Sequence, residues 1–599
     1  MPDDRIIHCP HRPPCGGCAL LELPPERQLA WKRERTAEAL ARFPSLRGVE
    51  VRECVPAPSP TGYRTRVKFA VARWPGERAA LGLFRPGTHE VLDLPGCLVV
   101  HEGLRPVLEE LRGLLGRTTT AVRHVDLRWS SLESRAHVTL VVDGPSDPRR
   151  VEDVARALVA ARPEVRGVGL RTTAEGPVPR ALGGATVPVV GEPYLVEAIG
   201  DTRYRLSPGA FFQTDPAAAE RLHDVVRGWL APKKGRARSL CDLYAGAGAF
   251  AIALADLADE VTAVEAVGTA VEDAAAGARL SRREVRVVRA PVERFLAGLR
   301  RGFLDRVVLD PPRRGVPANA LRSLAAAGPE RVAYVSCDPD TLARDLDALV
   351  PLGLAPQAVV PVDLFALTDE VEAVALLGRT RRPWRPAVLG RFGGVVAADK
   401  PAILPTHPQA AGEASLLLAV REAEGDEELQ PAHRLDVGTS GPVLFARGDT
   451  LRALGRAFES GAVAKEYLAL VKGVPHKSGR VRGEGGATRG GDEETRYRLE
   501  RIVGGYGLLR VSPTTGRRHQ IRRHLRRIGH PILGDERYGD PRANRFLAET
   551  CALARTFLHL AAITFPGPDG HPLRVEAPLP AELELVIARL KQLRVTAAT

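Results

Sequence analysis

Three cysteines fall within ten residues near the start of the chain: Cys9, Cys15 and Cys18, in "CPHRPPCGGC". Thiolates this close in sequence can converge on one metal centre, and the Pro and Gly residues between them let the chain fold back around it. A fourth ligand must come from elsewhere. Cys97, flanked by turn residues in "DLPGCLVV", is the expected one. The spacing suits either structural zinc or a four-cysteine iron–sulfur cluster. Cys337 is a different case. It ends an apolar strand pattern just before a helix start in "VAYVSCDPDTLARDL", where helix N-terminal amides lower a thiol pKa. Asp436 stands between an Arg-Leu pair and a Gly-Thr-Ser turn in "AHRLDVGTSGPVLFA". That place suits a nucleophile or a turn-capping carboxylate.

These residues need elements to hold them. "SLCDLYAGAGAFAIALA" (239–255) reads as a strand, a turn at Gly246 and Gly248, and an apolar helix. Such a turn lets a ligand approach the backbone at the carboxyl end of a first parallel strand. "VTAVEAV" then puts Glu265 at the end of the next strand, where an acid can accept hydrogen bonds from a ribose. Strands alternate with helical patterns from about 200 to 380, which predicts a parallel sheet flanked by helices. Short β-rich runs such as "RTRVKFAVARW" precede it. "RTRRPWRPAVLGR" (379–391) is the expected linker. An α+β pattern follows, with a Gly-rich insertion at 477–494. The expected divisions are a cysteine segment at 1–50, a β-rich RNA-binding domain at 51–195, an α/β domain at 196–380, a linker at 381–391 and an α+β domain at 392–599.

A chain of 599 residues is too long for one core. Apolar content of 44% and charged content of 26% are ordinary for globular protein. No apolar run approaches a membrane-spanning length, and "MPDDRIIHCP" lacks the apolar stretch of a secretory signal. A cytoplasmic protein without membrane or obligate protein partner is expected. The net charge of +13 suits a polyanion, although a GC-rich coding bias would also enrich Arg. Eight cysteines in such a chain do not make a disulfide framework, and Cys54 and Cys551 are expected in the core.

With "YRTRVKFAV", "SPGAFFQTDPAAAERL", "DLYAGAGAF", "LDPPRRG", "SCDPDTLARD" and "DLFALTDEVE" added to the cysteine cluster, residues 1 to about 380 resemble the RNA uracil-5-methyltransferases. The resemblance implies a Rossmann-like class I fold and a [4Fe–4S] cluster on Cys9, Cys15, Cys18 and Cys97. It also implies S-adenosyl-L-methionine bound through Gln213, Tyr244, Gly246, Gly248, Glu265 and Asp310. Cys337 would be the nucleophile and Glu372 the base. The chain starts at the cysteines without the small RNA-binding barrel of many members, as in the subgroup that methylates large-subunit rRNA. It departs from the family pattern at Ala249, Pro291, Ala366 and Glu370.

"GGVVAADKPAILPTHP", "AHRLDVGTSGPVLFA", "VAKEYLALVKG" and "TTGRRHQIRRHLRRIGHPILGDERYG" resemble the RluA-type pseudouridine synthases over about 390–585. Here Ile403 stands where Gly is common. That resemblance implies Asp436 as the residue that breaks the glycosidic bond, Tyr467 against the base and Arg522 paired with Asp436, with no cofactor. His433 and Arg434 are expected to support the loop, and His519 and His524 to be structural or RNA-contacting. The Arg-rich run 517–527 has no long apolar face and is expected on a phosphate-facing surface. Together the two resemblances imply a multidomain, bifunctional RNA-modifying enzyme, with rRNA as the expected substrate. The alternatives are tRNA as substrate, or an RNA-binding protein with a vestigial site.

Overall fold

The computed structural model describes residues 6–73, 78–118, 121–143, 148–173, 186–300, 302–380, 384–410, 412–483 and 493–596. Residues 381–383 of the expected linker and 484–492 of the Gly-rich insertion lie outside them. The fold is multidomain, with three large sheets that each carry their own core.

An eight-stranded sheet is built around Ala237–Leu243, which pairs in parallel with Ala258–Glu265 on one side and Arg306–Leu309 on the other. Arg331–Ser336 continues the parallel array. Glu372–Arg379 then inserts antiparallel between Arg331–Ser336 and Leu354–Val362. The central strands are buried on both faces, as "RVVL" (306–309) and "RVAYVS" (331–336) require. Helices such as Pro216–Leu230 and Pro339–Leu349 cover the sheet. The N-terminal segment adds the edge strand Glu50–Val51. It also adds the helix Pro25–Ala41, whose Lys32 reaches Asp363 at 2.6 Å inside the protein.

The seven-stranded central sheet runs from Val91–Asp93 at one edge to Val187–Gly191 at the other, mostly antiparallel. The last part combines a six-stranded antiparallel sheet with a four-stranded one, bridged at Ser440 and His559. One local cue recurs. Asp215-Pro216, Asp338-Pro339 and Asp540-Pro541 each begin a helix, the Asp side chain accepting from backbone amides and the Pro in the first turn.

The two halves of the chain touch. Trp384 packs against both cores, and Ile403 and Leu404 are buried within the core of the eight-stranded sheet. Among the described residues no helix is long and apolar enough to cross a membrane.

Candidate active sites

The first site lies at the carboxyl ends of the parallel strands. Strand register decides who meets whom. Ser336 pairs with Ala373 in an antiparallel ladder, so the next residues along, Cys337 and Glu372, come side by side. Asp310 follows the neighbouring strand and donates its amide to the Leu243 carbonyl at 3.3 Å. Glu372 is buried and Asp310 half-buried, and each pushes the pKa of its neighbours upward. Asp310 is raised to about 7 by burial. Glu372 is raised well above the usual carboxylate range by burial, then by Asp310 and Glu370, with Arg313 opposing.

Cys337 corrects the expected sign. Its thiol is pushed up to about 12, chiefly by burial, with Glu372, Asp310 and Asp338 adding to the shift and Arg313 opposing it. The helix start is where the sequence places it, but three carboxylates and desolvation outweigh its amides. Arg313, bonded to Glu370 at 2.7 Å, is therefore the cation that favours a thiolate, and no sequence signal singled it out beyond its place in "LDPPRRG".

The glycine turn forms beside this. Tyr244, Gly246 and Gly248 all have positive φ, at 64°, 55° and 82°. A Cβ on Gly248 would stand 3.0 Å from Ile252 and 3.1 Å from Ala274, so both backbone and packing require glycine there. Glu265 closes the turn. Its carboxylate accepts from Gly246 N at 3.0 Å, Ala266 N at 2.7 Å and Val267 N at 2.8 Å. Tyr244 donates its hydroxyl to Glu293 at 3.2 Å. Gln213 is buried two residues before the cap Asp215 and makes no side-chain hydrogen bond among the described residues. The structure thus groups Tyr244, Gly246 and Glu265 directly and leaves Gln213 outside that hydrogen-bond set.

Cys9, Cys15, Cys18 and Cys97 line one cavity of about 330 Å³, together with His11, Arg64 and Leu367. All four are free thiols. The Cys18 thiol is raised to about 11 by burial, with Cys97, Cys15 and Cys9 adding and Arg64 opposing. Among the described residues no three His, Cys, Asp or Glu side chains stand close enough to hold a single metal ion. Cys54 and Cys551 are buried, as expected.

The second site is built on Asp436. Arg522 Nη1 donates to Asp436 Oδ2 at 3.3 Å, the pairing that the sequence implied. Arg522 is itself gripped by Asp535, with Nε to Oδ2 at 2.6 Å and Nη2 to Oδ1 at 2.7 Å. Asp535 was not singled out from sequence, although it lies in the quoted "HPILGDERYG". Tyr467 is buried close enough for Asp436 to raise its phenol pKa, after the larger effect of burial. His519, held at φ 55°, brings Nε2 to 3.6 Å from Asp436 Oδ2. It is therefore part of the site's polar frame. Lys400, fully buried, donates to the carbonyls of Pro401, Leu404 and Val437 and ties the loop after Asp436 to the first strands. His433 accepts from Leu444 N at 3.3 Å, a loop-supporting contact. In the Arg-rich run, Arg517, Arg518, Arg523, Arg526 and Arg527 are exposed. Its helix, Gln520–Arg527, buries Gln520, Ile521, His524 and Leu525, so it packs one face inward.

Residues 194–380 match the family model for tRNA (uracil-5-)-methyltransferase, and residues 394–527 that for RNA pseudouridylate synthase. An uncharacterized RNA methyltransferase of Geobacter sulfurreducens is 34% identical over 385 residues, covering 62% of this chain and 76% of the relative. The chain belongs to the RNA methyltransferase family. A second relative, an uncharacterized RNA methyltransferase of Gloeobacter violaceus, is 33% identical over 391 residues, covering 62% of this chain and 82% of the relative. Among solved structures, the tRNA (uracil-54, C5)-methyltransferase of Pyrococcus abyssi, in complex with S-adenosyl-L-homocysteine, aligns with a TM-score of 0.50 at 25% identity. It covers 62% of this chain and 86% of its own. The chain is thus an enzyme in which an RNA uracil-5-methyltransferase domain is fused to an RNA pseudouridine synthase domain.

Proposed function

We propose that the chain carries out both reactions on uridines of RNA, most directly on neighbouring uridines of large-subunit rRNA. The observation that carries this reading is the presence of two separate constellations, Cys337 with Glu372 and Asp436 with Arg522, in one chain. S-adenosyl-L-methionine, held by the turn around Tyr244, Gly246, Gly248 and Glu265 with Asp310 and Gln213 nearby, would supply the methyl group.

Carbon 5 of uracil is a poor nucleophile. Cys337 adds through sulfur to carbon 6, and the resulting enolate gives carbon 5 its nucleophilicity. Arg313 supports the thiolate against three carboxylates. Once carbon 5 is methylated, Glu372 takes its proton and the Cys337 sulfur leaves carbon 6, restoring the ring. A carboxylate whose pKa is raised by burial is suited to accept that proton. In the second site Asp436 breaks the bond between ribose and nitrogen 1, the base turns, and carbon 5 rejoins the ribose and then gives up its proton, while nitrogen 1 ends protonated. Arg522 would orient Asp436, and Tyr467, buried close to Asp436, would pack against the base.

The donor set at Cys9, Cys15, Cys18 and Cys97 has the chemistry of a [4Fe–4S] cluster, four cysteine thiols that line one cavity. Such a cluster would tie the N-terminal segment to the central sheet. Iron and sulfide analysis of anaerobically purified protein should find both in wild type and neither in Cys97→Ser; metal-free wild type would end the proposal.

tRNA is the second reading, favoured by the description of the matched methyltransferase model. One experiment separates them. Total RNA from a deletion strain is mapped by nucleoside mass after complementation with wild type, Cys337→Ala or Asp436→Ala. Loss of 5-methyluridine with the first variant and of pseudouridine with the second, in rRNA, is the expected result. Loss of both marks from tRNA moves the substrate, and no change in either mark refutes the bifunctional reading.

A further inference from the structure

The helix that begins beside Cys337 is held from outside its own domain. Asp338 caps that helix, Pro339–Leu349, accepting from Asp340 N and Thr341 N at 3.0 Å each. The same carboxylate is gripped by Arg589, on the last helix of the synthase half, Ala581–Thr596. Arg589 Nη2 donates to Asp338 Oδ1 at 2.8 Å and Oδ2 at 3.0 Å, and to Asp340 Oδ2 at 2.8 Å. A second clamp lies two turns in, where buried Arg344 donates to the Ala552 carbonyl of the synthase half at 2.7 Å.

We propose that Arg589 is a positioning residue for the methyltransferase thiol, fixing Asp338 and Asp340 at the first turn of the helix that follows Cys337. The synthase half is then a structural part of the methyltransferase site, whatever its own chemistry. This rests on the reading of Cys337 as the nucleophile.

The two acids do not depend on Arg589 equally. Asp340 also pairs with Arg35 at 2.9 Å and Arg42 at 3.1 Å, both on the N-terminal segment. Asp338 has Arg589 as its only ion-pair partner among the described residues. Removing Arg589 therefore leaves Asp338 negative and next in sequence to the thiol. The groups facing Cys337 are Glu372 from the adjoining strand, Asp310 and Arg313 from the loop after Arg306–Leu309, and Asp338 from its own helix cap. Three of the four disfavour a thiolate. The loss of Arg589 adds to their side, so the thiol ionises at higher pH, and the cap that sets the Cys337 backbone loosens. Both effects slow attack on carbon 6, and neither touches Asp436.

The test uses the full chain with Arg589→Ala, Arg589→Lys and Cys337→Ala. Hypomodified total RNA from the deletion strain is the substrate, and both marks are counted by mass. Alkylation of Cys337 by iodoacetamide between pH 7 and 10, read by peptide mass, reports the thiol without RNA. Arg589→Ala should slow 5-methyluridine formation about tenfold, the effect of one pKa unit on a thiolate well below its pKa, and move the alkylation profile to higher pH. Pseudouridine formation should be unchanged, and Arg589→Lys should restore part of the methylation. An alkylation profile and methylation rate within about twofold of wild type overturn the inference, as does an equal fall in both marks, which means lost fold. Methylation that survives in Cys337→Ala refutes the nucleophile itself and with it this proposal; that outcome is distinct from a normal Arg589→Ala.

Discussion

Asp535→Asn should silence the synthase while leaving the methyltransferase intact. Asp535 is 1% exposed and spends both oxygens on the Arg522 guanidinium, at 2.6 and 2.7 Å, while Oδ1 also accepts from Arg537 N at 3.0 Å and Tyr538 N at 2.9 Å. An Asn keeps one oxygen for the two backbone amides. It turns an NH2 toward an Arg N–H, donor against donor, and removes the counter-charge. Breaking a buried pair by removing one partner costs about 3–5 kcal/mol. Arg522 keeps its 3.3 Å contact with Asp436, so the low end of that range, about 3 kcal/mol, applies. Freed from Asp535, the guanidinium is no longer held in the geometry that orients Asp436. If the whole of that loss falls on the transition state, pseudouridine formation slows about 100-fold, at 1.36 kcal/mol per decade. The assay is single-turnover pseudouridine formation by nucleoside mass, with 5-methyluridine in the same RNA as the internal measure of folding. Asp535→Glu, which keeps the charge, should fall less. A rate for Asp535→Asn within about threefold of wild type, with methylation intact, would refute the clamp.

Two other outcomes follow from buried charge. Lys32→Met strips Asp363 of its partner at 2.6 Å inside the protein; unfolding by urea should show a loss of about 3–5 kcal/mol for the methyltransferase transition, much of it recovered by adding Asp363→Leu. Asp242 is fully buried beneath the glycine turn, and burial raises its pKa to about 8, with Asp310 and Glu265 adding and the Ala251 amide opposing. Its folded form keeps a proton that the unfolded chain has lost above about pH 4, so its contribution to stability falls as pH rises from 4 toward 8. Asp242→Asn should flatten the decline of the thermal midpoint between pH 5 and 8; parallel profiles for the two proteins would contradict the assignment.

How much of each site was legible from sequence depended on whether its parts were local. The turn at Gly246 and Gly248 was readable because positive φ restricts residue type at the position itself, and the helix start after Cys337 because its signals are local. Cys337 at a strand end and Asp436 before its turn were readable for the same reason. Asp535 and Arg313 lay inside quoted motifs but carried no local mark of their roles, which arise only when Arg522 and Cys337 are brought to them.

By itself, the sequence determined the multidomain character of the chain, the alternation of strands and helices in the α/β part, and the residue types able to do chemistry. Periodicity and turn chemistry act over a few residues, and those are properties of the chain before it folds. Tertiary structure decided the rest. The antiparallel register of Glu372–Arg379 on Arg331–Ser336 brought Glu372 beside Cys337. Burial among three carboxylates then reversed the expected effect of the helix start on Cys337. Packing of the last helix against the methyltransferase set Arg589 on the cap of the helix that follows Cys337. Each is a sum of contacts between residues far apart in sequence, and desolvation and Coulomb interaction exist only once those residues share the same space.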